Sequence, residues 1–243
     1  MSMRYQEFAP PEHLKPFVEC FWTHQPGRAV AGYPVLPDGC VDIVYSPGTA
    51  RELQVVGAMT RTRKFSLVPG QIGFGVRFRP AMSQAFLPVP GLNITDQSID
   101  LSEIWGADAR RLVDQISEAR SPAQCIHLFE TRLHDPGEIT VVQRLCTTIV
   151  EQGGQVRIDD LAFQAGLSAR QLRRLFLDQV GLSPKHFCRV IRFRNSLSRL
   201  PQAGRTEWAQ VALGCGYYDQ AHFINEFREF SGYTPGEFVA LER

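Results

Sequence analysis

Hydrophobic positions along this chain follow two different rhythms. Over the first eighty residues, apolar and β-branched side chains come in short runs, Phe17–Thr23, Val41–Tyr45, Leu53–Val56 and Ile72–Phe78. Turn-forming clusters separate them: Pro26-Gly27, Pro37-Asp38-Gly39, Pro47-Gly48 and Pro69-Gly70. Short strands at such spacing predict a β-rich unit, a sandwich or a barrel of the cupin kind. After Pro80 the apolar spacing lengthens to three or four residues. Met82–Leu87 predicts one short helix, and Ala107–Ala119 and Pro122–His134 predict amphipathic helices that close the first domain. Asp135-Pro136-Gly137-Glu138 is a stop signal and predicts the boundary, with domains at 1–134 and 139–243. Beyond it everything reads as helix, opening with Ile139–Glu151, which Gln152-Gly153-Gly154 ends. The expected class is α+β: a β-rich amino-terminal domain, then an all-α domain.

The second domain contains one unit twice. Leu161-Ala162 aligns with Val211-Ala212 and Gly166 with Gly216, at an offset of 50. One inserted residue makes the offset 51, after which Phe176 meets Phe227, Gly181 meets Gly232, Ser183-Pro184 meets Thr234-Pro235 and Phe187 meets Phe238. A repeat of this length is a stronger guide to architecture than local propensity. Each copy has a short helix, a glycine turn, a capped longer helix and Gly-x-[ST]-Pro, the layout of a helix-turn-helix. In the first copy Ala162 permits close helix approach, Gly166 supplies a left-handed turn and Ser168 caps the next helix. Leu172, Leu175 and Phe176 then take the inward face, and Arg170, Arg173 and Arg174 the outward one.

An arginine fork matches guanine O6 and N7, a pairing worth roughly 1–3 kcal/mol of discrimination. Arg170, Arg173 and Arg174 are therefore base-reading candidates. The alternative is a solvated helix face, with Arg174 paired to Asp178 one turn on; their position on the second helix of a turn motif favours DNA. In the second copy Asp219 takes the cap position, and the base-reading candidates are Gln220, Ala221, Ile224 and Asn225. Amides suit adenine, and small apolar groups suit the thymine methyl. His222 reads as an exposed helix residue, with a phosphate contact as the alternative. Glu226, Glu229 and Glu237 make this copy electrically weaker, which predicts less avid base reading or recognition that leans on DNA shape.

Between the copies Ser183 caps a helix opened by Pro184 and running to Leu200. About 16 residues at 1.5 Å each give about 24 Å, enough to hold the two units about one DNA turn apart. Lys185, Arg189 and Arg194 on this helix are the phosphate candidates. Composition then changes meaning. With 243 residues, 44% of them hydrophobic, the chain can build two packed domains, and its formal net charge of +1 argues against a grip on nucleic acid only if the charge is evenly spread. It is not. Residues 1–138 hold 13 Lys+Arg against 15 Asp+Glu and residues 139–243 hold 13 against 10. Within Gly166–Arg205 nine basic residues face only Asp178.

On Ile158, Leu161-Ala162, Gly166, Ser168, Leu172, Arg174, Phe176, Gly181, Ser183-Pro184, Arg192 and Leu200, the region from about Ile139 to Arg243 resembles the DNA-binding domain of the AraC/XylS family of bacterial transcription regulators. In the second copy Val211-Ala212, Gly214, Gly216-Tyr217, Phe223, Phe227, Gly232 and Thr234-Pro235 carry the same resemblance. Ser196 and Phe238 depart from it, standing where the family commonly has Ala and often has Tyr. The resemblance implies a regulator rather than an enzyme, no cofactor, and double-stranded DNA and RNA polymerase as partners. It places the arginines of the first copy, and Gln220, Ala221, Ile224 and Asn225 of the second, at base-reading positions. It also implies an amino-terminal domain that senses a small-molecule effector or mediates homodimerisation. The segments Phe17–Trp22, Leu36–Val44 and Gly75–Pro80 resemble a compact β-rich domain found on some of these regulators.

Within that domain, alternation along Val41–Tyr45 separates Asp42 and Val44 from Val41, Ile43 and Tyr45, and Arg77 and Arg79 project opposite to Phe78. Trp22, Asp42, Arg77 and Arg79 are candidates to line a pocket for an anionic or aromatic ligand. The alternative is an ion pair tying two strands, with Trp22 in the core. Cys20 and His24 share a face but lie about 13 Å apart in a strand, too far for joint ligation, so no metal is expected. No nucleophile elbow, phosphate loop or close carboxylate pair points to catalysis. The six scattered cysteines read as buried free thiols. No membrane span is visible and the start, MSMRYQEFAP, lacks signal-peptide regions, which predicts a cytoplasmic protein.

Overall fold

The computed structural model describes residues 4–27, 30–50, 52–134, 137–200 and 207–241. Asp135-Pro136 of the expected boundary, Arg205 of the basic stretch and the two ends of the chain, Met1–Met3 and Glu242–Arg243, lie outside the described residues. The described residues include eight strands, β1 (Arg4–Phe8), β2 (Val18–Gln25), β3 (Val30–Val35), β4 (Val41–Tyr45), β5 (Leu53–Val56), β6 (Arg63–Leu67), β7 (Gly73–Phe78) and β8 (Ser98–Asp100). Four of them answer to the hydrophobic runs. β1, β3, β6 and β8 do not, because β1 buries almost nothing and β6 pairs only with β3, away from the main sheet.

The main sheet is antiparallel with order β1-β2-β7-β4-β5-β8. It has two edges, β1 and β8, so the described residues form an open sheet and the barrel expectation is corrected. Closure would need β1 to pair with the three-residue β8, and β1 pairs with β2 alone. One face carries Phe21, Ile43, Val55, Val76 and Phe78, all fully buried. α1 (Gly91–Ile94) precedes β8, and α2 (Ser102–Trp105), α3 (Ala107–Glu118) and α4 (Pro122–Glu130) follow it, with Leu112, Ile116 and Phe129 completing the core. Each such side chain contributes roughly 1.5–3 kcal/mol on burial.

The second domain comprises α5 (Val141–Glu151), α6 (Ile158–Gln164), α7 (Ala169–Gln179), α8 (Pro184–Leu197), α9 (Trp208–Gly214), α10 (Gln220–Ser231) and α11 (Pro235–Leu241). The repeat is visible as two helix-turn-helix units, α6–α7 and α9–α10. Gly166 and Gly216 turn both with φ of 65° and 76°, values that a side chain resists. Phe176, Phe187, Phe193, Phe223 and Phe227 are fully buried and pack the units onto α8.

The domains are separate in sequence but packed in space. Ala58 and Ala81 of the first belong to the core of the second. Thr95 Oγ1 donates to the carbonyl of Gly181 at 2.9 Å, beyond the end of α7. The Thr62 amide and hydroxyl donate to the carbonyl of Phe230, near the end of α10, at 3.0 and 2.7 Å. Gln84 Nε2 donates to the carbonyl of Asp178, and buried Gln143 Nε2 to that of Ala81. Ala81 and Asp96 are the two non-glycine residues with positive φ among the described residues, and both sit in this region. Each left-handed residue costs roughly 1–2 kcal/mol, which the surrounding contacts must offset.

Candidate nucleic-acid interface

Local chemistry starts α7 cleanly. Ser168 Oγ accepts from the Gln171 amide while Gln171 Oε1 accepts from the Ser168 amide, a reciprocal cap. Leu172 and Phe176 face inward and are fully buried, leaving Arg170, Arg173 and Arg174 exposed on the other side. None of the three forms an ion pair among the described residues, and Arg174 does not close on Asp178. Their forks are therefore open to an incoming acceptor.

α10 repeats the design with Asp219 Oδ1 accepting from the His222 amide at 2.7 Å. Gln220, Ala221 and Asn225 are exposed. Ile224 is half-buried against the second core, so only part of its side chain is available. The acids expected to weaken this unit are largely engaged within the protein. Buried Glu226 accepts from Arg189 Nε at 2.6 Å and from Arg192 Nη2 at 3.4 Å, and Glu229 accepts from Arg189 Nη2.

The phosphate candidates thus separate. Lys185 is exposed and has no ion-pair partner among the described residues. Arg189 is tied to α10, and Arg194 pairs with Glu19 of β2 across the domain boundary. Burial alone would raise the Glu19 acid, but bonding to Arg194 and Cys40 and the charges of Arg194 and Arg77 hold it below its ordinary value. The outward face also holds a residue that the hydrophobic pattern does not flag. Tyr218 is 88% exposed just before the Asp219 cap, within the stretch where the repeat offset steps from 50 to 51. Phe163 and Leu213, equivalent positions in the two copies, are exposed as well.

The four ligand candidates do not come together as a pocket. Trp22 Nε1 donates to Asp42 Oδ1 at 2.9 Å, and Arg77 Nε lies 3.3 Å from Asp42 and 3.5 Å from Asp38. Trp22 is 8% exposed. This is the strand-tying arrangement, and burial pushes the Asp42 acid up to about 6 against the pull of Arg77. Arg79 lies past the end of β7, where its Nε donates to the carbonyl of Lys15, and it lines a different surface. All six cysteines are buried and free, and burial pushes the Cys20 and Cys188 thiols up to about 12 and about 11. No group of three metal-binding side chains converges among the described residues, and none of their helices is long and apolar enough to cross a membrane.

With this geometry in view, the family described as "Helix-turn-helix domain" matches residues 161–240, and a "Domain of unknown function (DUF6597)" matches residues 6–100. The chain is 30% identical over 136 residues to the HTH-type transcriptional regulator ArgR of Pseudomonas aeruginosa, covering 56% of this chain and 40% of that protein. It is 28% identical over 142 residues to the HTH-type transcriptional regulator GlxA of Rhizobium meliloti, covering 56% and 43%. The chain thus spans under half the length of these curated relatives. Among solved structures, ToxT from Vibrio cholerae aligns over 99% of this chain and 99% of that one, with 11% identity and a TM-score of 0.44. An AraC-type DNA-binding-domain regulator from Chromobacterium violaceum aligns over 39% and 88%, with 29% identity and a TM-score of 0.34. The chain carries a helix-turn-helix domain of the AraC type over residues 161–240, behind the domain of unknown function at residues 6–100.

Proposed function

We propose that this protein is a sequence-specific transcription regulator that binds double-stranded DNA, with α7 and α10 entering successive turns of the major groove. The observation that carries this reading is the pair of like-built, capped helices whose outward residues are exposed. Arg170, Arg173 and Arg174 read guanines from α7. Gln220, Ala221, Asn225 and the free part of Ile224 read adenine edges and thymine methyls from α10. Lys185 contacts phosphate, while Arg189 and Arg194 hold elements of the protein together. The setting is the cytoplasm, with RNA polymerase as the partner at a promoter.

The experiment is replacement of Arg170, Arg173 and Arg174 by Ala, with binding to the protein's own promoter region measured at one fixed salt concentration. Each lost bidentate contact weakens specific binding by roughly 1–3 kcal/mol. Unchanged affinity would show that the recognition surface lies elsewhere. A second reading assigns the first domain to dimerisation or protein interaction alone. The mutual engagement of Trp22, Asp42 and Arg77 favours it, because these polar groups are taken up by one another.

A further inference from the structure

Between the two domains lies a cleft of about 520 Å³ lined by charged groups from both. The first domain supplies Glu19 and Arg79. The second supplies Glu151 at the end of α5, with Arg194, Asn195 and Arg199 along and just beyond the last turn of α8. Its size falls in the range of small-molecule sites, roughly 300–1,000 Å³.

A guanidinium has five N–H donors. Among the described residues Arg79 directs one to the carbonyl of Lys15, at 2.8 Å, and Arg199 directs one to the carbonyl of Gly214, at 2.9 Å. Both side chains are exposed, and neither meets a carboxylate among the described residues. Arg194 is already neutralised by Glu19. The cleft therefore presents two unneutralised forks, one from each domain. Glu151 and the carbonyl end of α5 contribute an acceptor wall. Pro80, Val150 and Ile191 are its apolar lining residues among mostly polar ones, so a long apolar tail would find little to pack on.

We propose that this cleft binds a small polar carboxylate, a hydroxy acid or a zwitterionic amino acid, whose carboxylate is held by Arg79 and Arg199 and whose hydroxyl or ammonium group faces Glu151. Charge-assisted bonds from two arginine forks suit a carboxylate in direction as well as in charge. Because the ligand touches both domains, it binds only where they are docked, and it stabilises that arrangement by mass action. Its effect on DNA affinity, which rests on the function proposed above, equals the difference in DNA binding between the docked and undocked forms.

The test uses the full chain at constant ionic strength maintained with chloride. L-malate and L-serine are titrated separately by calorimetry, and the thermal midpoint is followed in parallel. Wild-type protein is expected to give saturable binding and a raised midpoint with at least one of the two, the arms distinguishing hydroxy acid from amino acid. Arg79→Gln and Arg199→Gln, both surface changes checked for folding by circular dichroism, should each bind about tenfold more weakly, the loss of one charge-assisted contact. Decanoate should not bind. The assignment is overturned if neither malate nor serine binds saturably, if both variants bind as wild type does, or if decanoate binds more tightly than either. Promoter binding without ligand is measured alongside, so a failure of the regulator reading is seen separately from a failure of the cleft.

Discussion

Lys185 and Arg189 stand one helical turn apart on α8, and they serve different purposes. Lys185 projects into solvent, whereas the Arg189 fork grips Glu226 and Glu229 and lies 5.1 Å from the centre of the Phe230 ring. Residue type alone makes them equivalent, because the acids that claim Arg189 lie 37 and 40 residues further on. Arg189→Ala is expected to lower stability by about 2–3 kcal/mol in urea unfolding, near the foot of the range for a broken buried pair because Arg192 still faces Glu226. Lys185→Ala should leave stability unchanged. It should weaken binding to all DNA sequences alike and reduce the salt slope by about one. If Lys185→Ala instead relaxed specificity at one base pair, its assignment to phosphate would be wrong.

Between single residues and the whole fold stand elements of 11 and 12 residues, α7 and α10, a length at which an isolated helix is marginal. Caps and buried faces therefore decide whether these two helices form. Ser168→Ala removes the side-chain half of the reciprocal cap on α7 and should cost about 1 kcal/mol. In a chain of this size that lowers the thermal midpoint by about 2–4 °C, and Ser168→Asp should restore most of it. A midpoint that ignored both changes would show that packing alone sustains α7. Such caps are legible in sequence because they join residues three apart. So are β4 and β5, whose strict alternation matches a sheet with one buried face. β1 and β6 escape notice because they carry RYQEF and RKFSL, polar enough to pass for loops, and β8 because three residues hold no period.

In the whole molecule the decisive feature is the docking of the two domains. Contacts from Thr95 and Thr62 reach the ends of α7 and α10, and Glu19 reaches α8, so the first domain bears on the elements that space α7 and α10. An alanine at Gly181 would place its Cβ 2.2 Å from Thr95 Oγ1, which shows how closely the surfaces meet. Docking is also linked to pH. The Glu19 acid is held below its ordinary value of 4.5, so the folded, docked state favours the carboxylate. The stability it contributes is present above 4.5 and is lost as pH falls through the lower value it has when docked. The difference in thermal midpoint between wild type and Glu19→Gln should therefore be full near neutrality and shrink on acidification below 4.5. A difference independent of pH would mean that the pair adds nothing to docking.

What the sequence by itself determined is the part built from neighbours along the chain: the repeated unit, its glycine turns, the Ser168 and Asp219 caps, the arginine face of α7 and the alternation of the central strands. These depend on spacings of two to four residues and on a repeat of about fifty, and sequence displays both directly. The tertiary structure alone decided which charges stay free. It paired Arg194 with Glu19 across 175 residues, assigned Arg189 to Glu226 and Glu229, closed Trp22, Asp42 and Arg77 into a strand tie, and left Arg79 and Arg199 facing a common cleft. The physical reason is range. A cap or a turn is satisfied by its immediate neighbours, whereas a buried charge takes whichever partner the fold brings within hydrogen-bonding distance.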